Sequence, residues 1–230
     1  MTLDSYIQTL LTGLISGSNV LDVGCGEALF YINYLHNMNI NYFGVDIQTP
    51  RTLPKYVQFR PADIDAEALP YDDDTFDLLV CQHVIEHLRN PIELFGEMVR
   101  VCRPGGHIFI VAPSDHSTWF SFPLLQNWRH IYSYYDDPTH LGRPWTPQGL
   151  YRLGIFWDMY PIISKYDCST LALLLLLPKQ IWGFLTKNPD LLVSSWWRAI
   201  GWIVYATFKK PNSVQGKTNF HYKSFLGFRP

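Results

Sequence analysis

Two glycines and an acid have the types and the spacing of a nucleotide-binding site. Residues 20–26 read as a buried strand that runs into a loop containing Gly24 and Gly26. Further along the chain, Asp46 ends a second apolar strand. Glycine lets a backbone approach a ligand closely, and an acid beyond the carboxyl end of a parallel strand can accept hydrogen bonds from both hydroxyls of a ribose. The pattern therefore predicts binding of an adenosine-containing cofactor.

The residues around the loop decide between two such cofactors. A dinucleotide site usually carries a third glycine, which permits tight packing near a pyrophosphate, whereas Leu29 stands at that position here. Asp22 precedes the loop, and its carboxylate suits the cationic ammonium of a methionine moiety better than it suits a diphosphate. A nicotinamide-dependent oxidoreductase is therefore disfavoured. The remaining structural interpretation is a strand, turn and helix that are rich in glycine without binding a ligand.

Asp-x-Gly-x-Gly at residues 22–26, followed by the acid-tipped second strand, resembles the class I S-adenosylmethionine-dependent methyltransferases. Further segments extend the resemblance in the family's order: a third strand ending in an acid, an aspartate-rich loop with the strand after it, a glycine turn and a last antiparallel strand, at residues 57–65, 68–81, 103–106 and 224–230. The resemblance implies S-adenosylmethionine as the cofactor and methyl transfer as the reaction.

The resemblance also implies a position for each residue of the cofactor site. Asp22 and the two glycines would face the methionine and ribose ends, and Asp46 would hold the ribose hydroxyls; the alternative for Asp46 is an ordinary helix N-cap. Asp63, or Asp65 if the third strand is longer, would flank the adenine, and Gln82 would line the methyl-transfer site. The complete predicted cofactor-binding set is Asp22, Gly24, Cys25, Gly26, Asp46, Ile47, Asp63, Ile64 and Gln82.

Histidines after the predicted fourth strand are candidates for the base that a methyl acceptor needs. Methyl transfer from a sulfonium depends on orientation and on a base that takes the proton of the nucleophile. A histidine that titrates near neutral pH can serve as this base. We therefore predict His83, His87 and His140 as catalytic residues. The structural alternative is that Glu86 and His87 only pin a helix.

The same residues offer a metal-assisted alternative, although we predict no metal. His83, Glu86, His87 and His140 resemble the Glu-x-x-Glu-His motif and later histidine of small-RNA 2′-O-methyltransferases and ubiquinone-pathway O-methyltransferases. Here an imidazole replaces the first carboxylate, which removes a hard oxygen ligand and disfavours magnesium. A softer divalent ion is the alternative. The Pro-Thr-His-Leu segment that contains His140 also resembles methyltransferases of polysaccharide and lipid pathways, in which it lines an acceptor pocket without a metal.

Composition limits the compartment and the partners. The chain has 230 residues, which suits a single domain. Its net charge of −2 and its pI near 6.4 argue against binding of bulk nucleic acid. The four cysteines form no close-spaced metal pair, and no secretory signal is evident, which favours a cytoplasmic location. The expected acceptor is an oxygen of a small molecule, a sugar or a lipid-linked compound.

Alternating apolar strands and amphipathic helices predict the fold class. Strands are expected at residues 19–23, 41–46, 57–60, 76–81 and 107–112, and helices at residues 4–16, 27–38 and 91–101. This order predicts an α/β, Rossmann-like, doubly wound sheet of seven mostly parallel strands with an antiparallel C-terminal strand. We expect a single methyltransferase domain, with its core at about 1–113, 150–165 and 218–230, an acceptor-binding region at 113–148 and an apolar helical insertion at 166–212.

The insertion contains two apolar runs, at residues 171–177 and 196–208. Neither approaches the roughly 20 residues that a membrane-spanning helix needs. One interpretation is a set of helices that packs on the sheet or closes a homodimer. The other is a peripheral membrane contact through residues 171–208, with tryptophans and flanking lysines at the inner face of a membrane. A catalytically silent, membrane-associated module with the same fold is a further alternative.

Overall fold

One seven-stranded sheet forms the centre of the molecule in the computed structural model, which describes residues 2–27, 29–118 and 133–212. The strands are β1 Asn19–Val23, β2 Asn41–Asp46, β3 Val57–Pro61, β4 Phe76–Gln82, β5 Cys102–Pro113, β6 Tyr160–Tyr166 and β7 Ile203–Lys209. Their order is β3-β2-β1-β4-β5-β7-β6. Strands β1 to β5 pair in parallel, and β7 runs antiparallel between β5 and β6. The predicted mostly parallel, Rossmann-like sheet is confirmed.

Helices cover both faces of this sheet. Within the described ranges they are α1 Leu3–Thr12, α2 Ile32–Asn37, α3 Pro91–Val101, α4 Pro147–Phe156, α5 Thr170–Leu174, α6 Leu176–Leu185 and α7 Pro189–Ile200. Successive residues of a strand point to opposite faces, so β1 contributes Leu21 and Val23 to one core layer and Val20 to the other. Met98 of α3 packs in the first layer and Leu11 of α1 in the second. The sheet is therefore doubly wound.

The second helix is shorter than predicted for a local reason. The Phe30 N–H donates to a carboxylate oxygen of Asp22 over 3.0 Å, rather than to a helical carbonyl. Tyr31 then adopts a left-handed φ of 44°, and α2 begins only at Ile32. In contrast, α3 has the predicted bounds, because Pro91 occupies a first helical position where its missing N–H costs nothing.

The antiparallel strand occupies a different part of the chain from the one predicted. The strand expected at residues 224–230 lies outside the described residues, whereas β7 lies inside the segment predicted as a helical insertion. The helical prediction for residues 196–208 is wrong beyond Gly201, which ends α7 with a φ of 72°. Residues 204–208 are fully buried between β5 and β6. Burial on both faces of a strand explains their nearly continuous apolar character.

Three helices, α5 to α7, connect β6 to β7. Because β5 and β6 both pair antiparallel with β7, they run parallel to each other. The chain therefore enters α5 from the sheet edge where β5 ends, and it returns to the same edge at the start of β7. In the part of the chain that the structure describes, no helix has the length and apolar character needed to cross a membrane.

The carboxyl ends of β1 and β4 meet in the middle of that edge, where Val23 pairs with Cys81. From β1 the sheet continues through β2 to β3, and from β4 it continues in the other direction to β5. Ligands of open α/β sheets bind where the strand order reverses in this way. The loops after β1 and β4 therefore frame the expected site.

Candidate active site

The loop after β1 is held against the end of β2 by Asp46. The Gly26 N–H donates to Asp46 Oδ2 over 2.9 Å, and the Gln48 N–H donates to Oδ1 over 3.2 Å. The Gly24 N–H donates to the Val45 carbonyl over 2.8 Å. Gly24 and Gly26 have φ of 69° and 49°, in the left-handed region that favours glycine. No helix begins within the described residues 47–60, so the interpretation of Asp46 as a helix N-cap is wrong.

Asp22 lies beneath the glycine loop, with 4% of its surface exposed. Its Oδ2 accepts a hydrogen bond from the Tyr42 hydroxyl at 2.5 Å and another from the Phe30 N–H at 3.0 Å. Burial raises the pKa of the Asp22 carboxyl to about 6, although both hydrogen bonds oppose the shift. Asp22 therefore ties the chain that precedes α2 to β1 and β2. Tyr42 was missed in the sequence, because a tyrosine in an apolar strand predicts only core packing.

The two acids after β3 have different partners. Asp65 Oδ1 accepts the N–H groups of Arg89 and Asn90 at 2.8 and 3.0 Å, which anchors the start of α3. Asp63 Oδ1 accepts the N–H of Asp65 at 3.1 Å within the same turn. Because Asp65 is engaged with α3, the geometry favours Asp63 over Asp65 for the position beside the adenine.

Apolar side chains surround the tip of β2. Ile47 follows Asp46 directly and is 64% exposed, whereas Ile64 packs on the core. Cys25 is buried, and burial raises the pKa of its thiol to about 12, so the thiol stays protonated. A β-carbon on Gly44 would lie 3.1 Å from the Cys25 Sγ atom, which places the thiol against β2. The Ile47 side chain is thus open at the tip of β2, while the Cys25 side chain serves packing.

The tip of β4 brings Gln82 and His83 to the other side of the glycine loop. Gln82 pairs with Val111 of β5, and its Nε2 is buried without a hydrogen-bond partner among the described residues. The His83 N–H donates to the Val111 carbonyl over 2.9 Å, and His83 has a φ of 53°. This conformation costs about 1–3 kcal/mol for a residue other than glycine, and such strain clusters at functional sites. The turn leaves the His83 side chain 45% exposed at the edge of the site.

Glu86 is the buried acid beside His83, with 1% of its side chain exposed. Its Oε1 lies 3.5 Å from His83 Nδ1, and its Oε2 has no hydrogen-bond partner within the described ranges. The Leu141 N–H donates to the Glu86 carbonyl over 2.9 Å, which ties the segment around His140 to the loop after β4. A buried carboxylate needs a compensating charge or proton. The His83 imidazole faces this carboxylate through its Nδ1 atom.

Two further histidines are oriented by the segment that follows Tyr134. The Thr139 hydroxyl donates to Asp137 Oδ1 over 2.6 Å, so it accepts from His87 Nδ1 at 2.9 Å. The Tyr134 carbonyl accepts from His140 Nδ1 at 2.7 Å. The two imidazole rings lie 4.8 Å apart. Each Nδ1 thus faces an oxygen acceptor, which leaves Nε2 as the other coordinating atom of each ring; His140 Nε2 lies 3.8 Å from Asp137 Oδ2.

Glu86, His87 and His140 form a group that could hold a metal ion, since their ligand atoms lie within 4.8 Å of one another. His83 contacts Glu86 but is not part of this group among the described residues. Of the four metal candidates, the structure thus brings three together. Two imidazoles with one carboxylate suit zinc and similar ions better than magnesium. The donor set therefore fits a borderline-soft divalent ion.

A pocket of about 360 Å³ is lined by Ile85 and Leu141, the chain neighbours of Glu86 and His140. Leu88, Leu141 and Trp145 form apolar walls, and Arg89 and Arg143 also line it. A few polar groups in a mostly apolar cleft are typical of small-molecule sites. The pocket is therefore a candidate for the acceptor.

Asp137 and Thr139 are residues of this cluster that sequence reasoning missed. The hydrogen bonds that Asp137 accepts from the Thr139 hydroxyl and N–H hold the pKa of its carboxyl below the usual range. Asp-Pro-Thr is a turn pattern, and its position directly before His140 is the signal that could have found them. Residues 119–132 of the predicted acceptor-binding region lie outside the described residues.

Sequence comparison connects this site to known proteins. Residues 21–110 match a family model described as a methyltransferase domain. A ubiquinone biosynthesis O-methyltransferase of Coxiella burnetii is 24% identical over 183 residues, which cover 71% of this chain and 76% of that protein. An uncharacterised methyltransferase of Mycobacterium leprae is 33% identical over 101 residues, which cover 41% of this chain and 36% of that protein.

Solved structures share the fold. An S-adenosylmethionine-dependent methyltransferase from Mesorhizobium loti superposes with a TM-score of 0.60 at 16% identity, over 88% of this chain and 96% of that one. Phosphoethanolamine N-methyltransferase 2 of Haemonchus contortus gives a TM-score of 0.61 at 16% identity, over 90% of this chain and 52% of that one. The family model thus identifies residues 21–110 as a methyltransferase domain, and the solved structures show that the chain has the fold of S-adenosylmethionine-dependent methyltransferases.

Proposed function

We propose that this protein transfers a methyl group from S-adenosylmethionine to an oxygen of a small-molecule or lipid-linked acceptor, with His83 as the general base. The observation that carries the proposal is the pair formed by His83 and Glu86. An exposed imidazole stands at the strand tip beside the cofactor loop, and a buried carboxylate lies 3.5 Å from its Nδ1. A hydroxyl needs such a base because it must lose its proton to become a good nucleophile.

The residues around the glycine loop fit this cofactor. At Gly24 a β-carbon would lie 2.4 Å from Val84 Cγ2, so the loop after β1 approaches the loop after β4 closely. Asp46 stands at the tip of β2 to accept the ribose hydroxyls, and Ile47 offers an exposed surface to the adenine. Gln82, with its orphaned Nε2, lines the space between the two loops. Asp63 completes the set on the adenine side.

When bound, S-adenosylmethionine supplies a methyl group on a sulfonium, which leaves behind a neutral thioether. His83 accepts the acceptor's hydroxyl proton on Nε2 while its Nδ1 faces Glu86. The Glu86 carboxylate orients the ring and stabilises the imidazolium that forms. We place the acceptor in the pocket beside Leu141 and Trp145, whose lining also includes Ile85 of the loop after β4.

An oxygen acceptor also agrees with the relatives, since the Coxiella burnetii protein is a ubiquinone biosynthesis O-methyltransferase. A metal-assisted variant of the same reaction is the second candidate, and the grouping of Glu86, His87 and His140 favours it. In that variant these three residues would hold a divalent ion that polarises the acceptor oxygen. His83 would then act beside the ion rather than as its ligand.

Calorimetric titration first tests whether the protein binds the proposed cofactor. The purified protein is titrated with S-adenosylmethionine, S-adenosylhomocysteine and NADH, each with and without zinc. We expect micromolar binding of the first two and none of NADH. Turnover is then measured with a catechol and with an amine of matched size, with and without a chelator. Methylation of the amine alone would overturn the oxygen assignment, and loss of catechol turnover on chelation would favour the metal-assisted variant.

A further inference from the structure

The helices α5 and α6 expose an unusual amount of apolar surface. Nine large apolar side chains within residues 171–185 are exposed, and Leu174, Leu177 and Leu185 are each about 70% exposed. Trp182 is 62% exposed in the same stretch. We call this set, within residues 171–185, the apolar surface. Large apolar areas exposed on a folded protein often mark interaction sites.

The rotation of α6 is fixed by polar and small residues that face inward. Gln180 Nε2 donates to the Leu192 carbonyl over 2.7 Å and to the Ser195 hydroxyl over 2.8 Å. A β-carbon on Gly183 would lie 2.8 Å from a methyl carbon of Leu192, so α6 and α7 are in close contact there. The helix thus turns the side-chain amide of Gln180 toward the protein and its large apolar side chains outward. This is the reverse of the arrangement expected for a helix that faces water.

The charged residues near the apolar surface indicate which kind of partner it binds. Residues 170–189 contain no acid, and Lys179 and Lys187 are the basic residues of this stretch. An apolar face with a tryptophan and flanking lysines is complementary to a bilayer with anionic headgroups. Helices of 5 and 10 residues are too short to span a bilayer, so they would lie in the plane of its surface.

The anchoring of α7 relates this surface to the active site. The Ser114 hydroxyl donates to the Gly201 carbonyl over 2.6 Å, and His116 Nδ1 lies 2.6 Å from the Ile200 carbonyl. Both contacts join α7 to the loop after β5, at the sheet edge that also carries Gln82. We propose that α5 and α6 dock this protein on the surface of an anionic phospholipid membrane, with the active-site edge of the sheet beside the bilayer. The docking does not depend on which acceptor is methylated.

Vesicle co-sedimentation of the full chain tests the proposal. Vesicles are made of phosphatidylcholine with or without phosphatidylglycerol. We expect binding to the anionic vesicles, weaker binding to neutral ones and a decrease with salt. The variant Leu174→Gln/Leu177→Gln should lower the partition coefficient by about tenfold or more, because two exposed leucines no longer enter the interface. Lys179→Gln/Lys187→Gln should reduce the preference for anionic vesicles.

Ile15→Gln is the matched control. Ile15 is 71% exposed, like Leu174, but it lies before β1 and therefore at the opposite edge of the sheet. This variant should bind vesicles like the unmodified protein, and all variants should keep their affinity for S-adenosylmethionine in the calorimeter. Equal vesicle binding by the double leucine variant would overturn the proposal. A vesicle-free dimer that the leucine substitutions convert to a monomer, together with no vesicle binding, would assign the surface to a second copy of the chain instead.

Discussion

A β-carbon on Gly24 would stand 2.4 Å from Cγ2 of Val84, so the loops after β1 and β4 touch at this point. The first loop is the expected cradle of the cofactor, and the second carries His83. Gly26, two residues on, has no heavy atom within 4 Å of its hypothetical β-carbon. Gly24 is therefore needed for space as well as for its positive φ, whereas Gly26 is needed for its φ alone. Alanine substitutions can distinguish these two requirements.

Gly24→Ala should destabilise the fold by about 1–3 kcal/mol, because the new methyl group meets Val84 while φ stays positive. Gly26→Ala introduces the same unfavourable φ without a contact, so its cost should be smaller. Urea unfolding of both variants measures the difference. The double variant Gly24→Ala/Val84→Ala should recover part of the loss; a double variant as unstable as the sum of its parts would show that the contact with Val84 is not the cause.

Asp46→Ala should weaken S-adenosylmethionine binding by about 1.5–3 kcal/mol, the value of charge-assisted hydrogen bonds to one acceptor. The loss has two sources, since Asp46 also holds the Gly26 N–H. Calorimetry measures the affinity, and Asp72→Ala, at an exposed acid before β4, is the control that should bind normally. Unchanged affinity in Asp46→Ala would remove this residue from the cofactor site.

His83→Ala should lower kcat by about a hundredfold to ten-thousandfold while leaving the affinity for S-adenosylmethionine unchanged, as expected for loss of a general base. Glu86→Gln should lower kcat less, because the His83 imidazole remains and loses only the carboxylate that orients it. Steady-state kinetics measures both effects. His36→Ala, at an exposed histidine stacked on Tyr56, is the control for removing an imidazole elsewhere.

His140→Ala distinguishes the base from the metal-assisted variant. With His83 as the base and no metal, the loss of His140 should affect acceptor binding more than kcat, and a chelator should change nothing further. If His140→Ala abolishes turnover while His83→Ala retains it, the group of Glu86, His87 and His140 carries the chemistry instead.

The buried carboxyl of Asp22 should make the protein less stable as the pH rises from about 4 to about 6. Its pKa in the folded protein is about 6, raised by burial, against about 3.9 for an unfolded aspartate. Between these values the unfolded chain has lost a proton that the folded chain keeps, so the free energy of unfolding falls, by at most about 3 kcal/mol. Urea unfolding across this range measures it. Asp22→Asn keeps an oxygen acceptor for Tyr42 and removes the titration; parallel pH curves for the two proteins would contradict the assignment.

Local sequence signals were sufficient for the first half of the fold. β1 and β2 have the predicted bounds because each is a short apolar run bordered by turn residues. The placement of Asp46 beside the glycine loop followed from parallel pairing, which brings the carboxyl ends of neighbouring strands to one edge. Those parts of the site depend on strand order alone.

The rest depended on contacts between distant residues. A strand buried on both faces has no period of two, so residues 203–209 could not be told from a buried helix by periodicity. The contact between Asp22 and Tyr42 depends on the register that pairs Val20 with Tyr42. The orientation of His87 by Thr139 joins residues 52 positions apart. No pattern within one segment predicts such contacts.

The pairing of β6 with β7 makes the helical segment between them a loop that can vary in evolution. Tyr166 pairs with Val204, and the Asp167 N–H donates to the Ile203 carbonyl over 2.8 Å, so the two strands are the arms of a β-hairpin. The helices α5 to α7 are then the loop of that hairpin. The free energy of closing a loop grows only with the logarithm of its length. The apolar surface can therefore change in length or sequence with little effect on the strands beside it, so the proposed membrane docking and the methyl transfer can evolve separately.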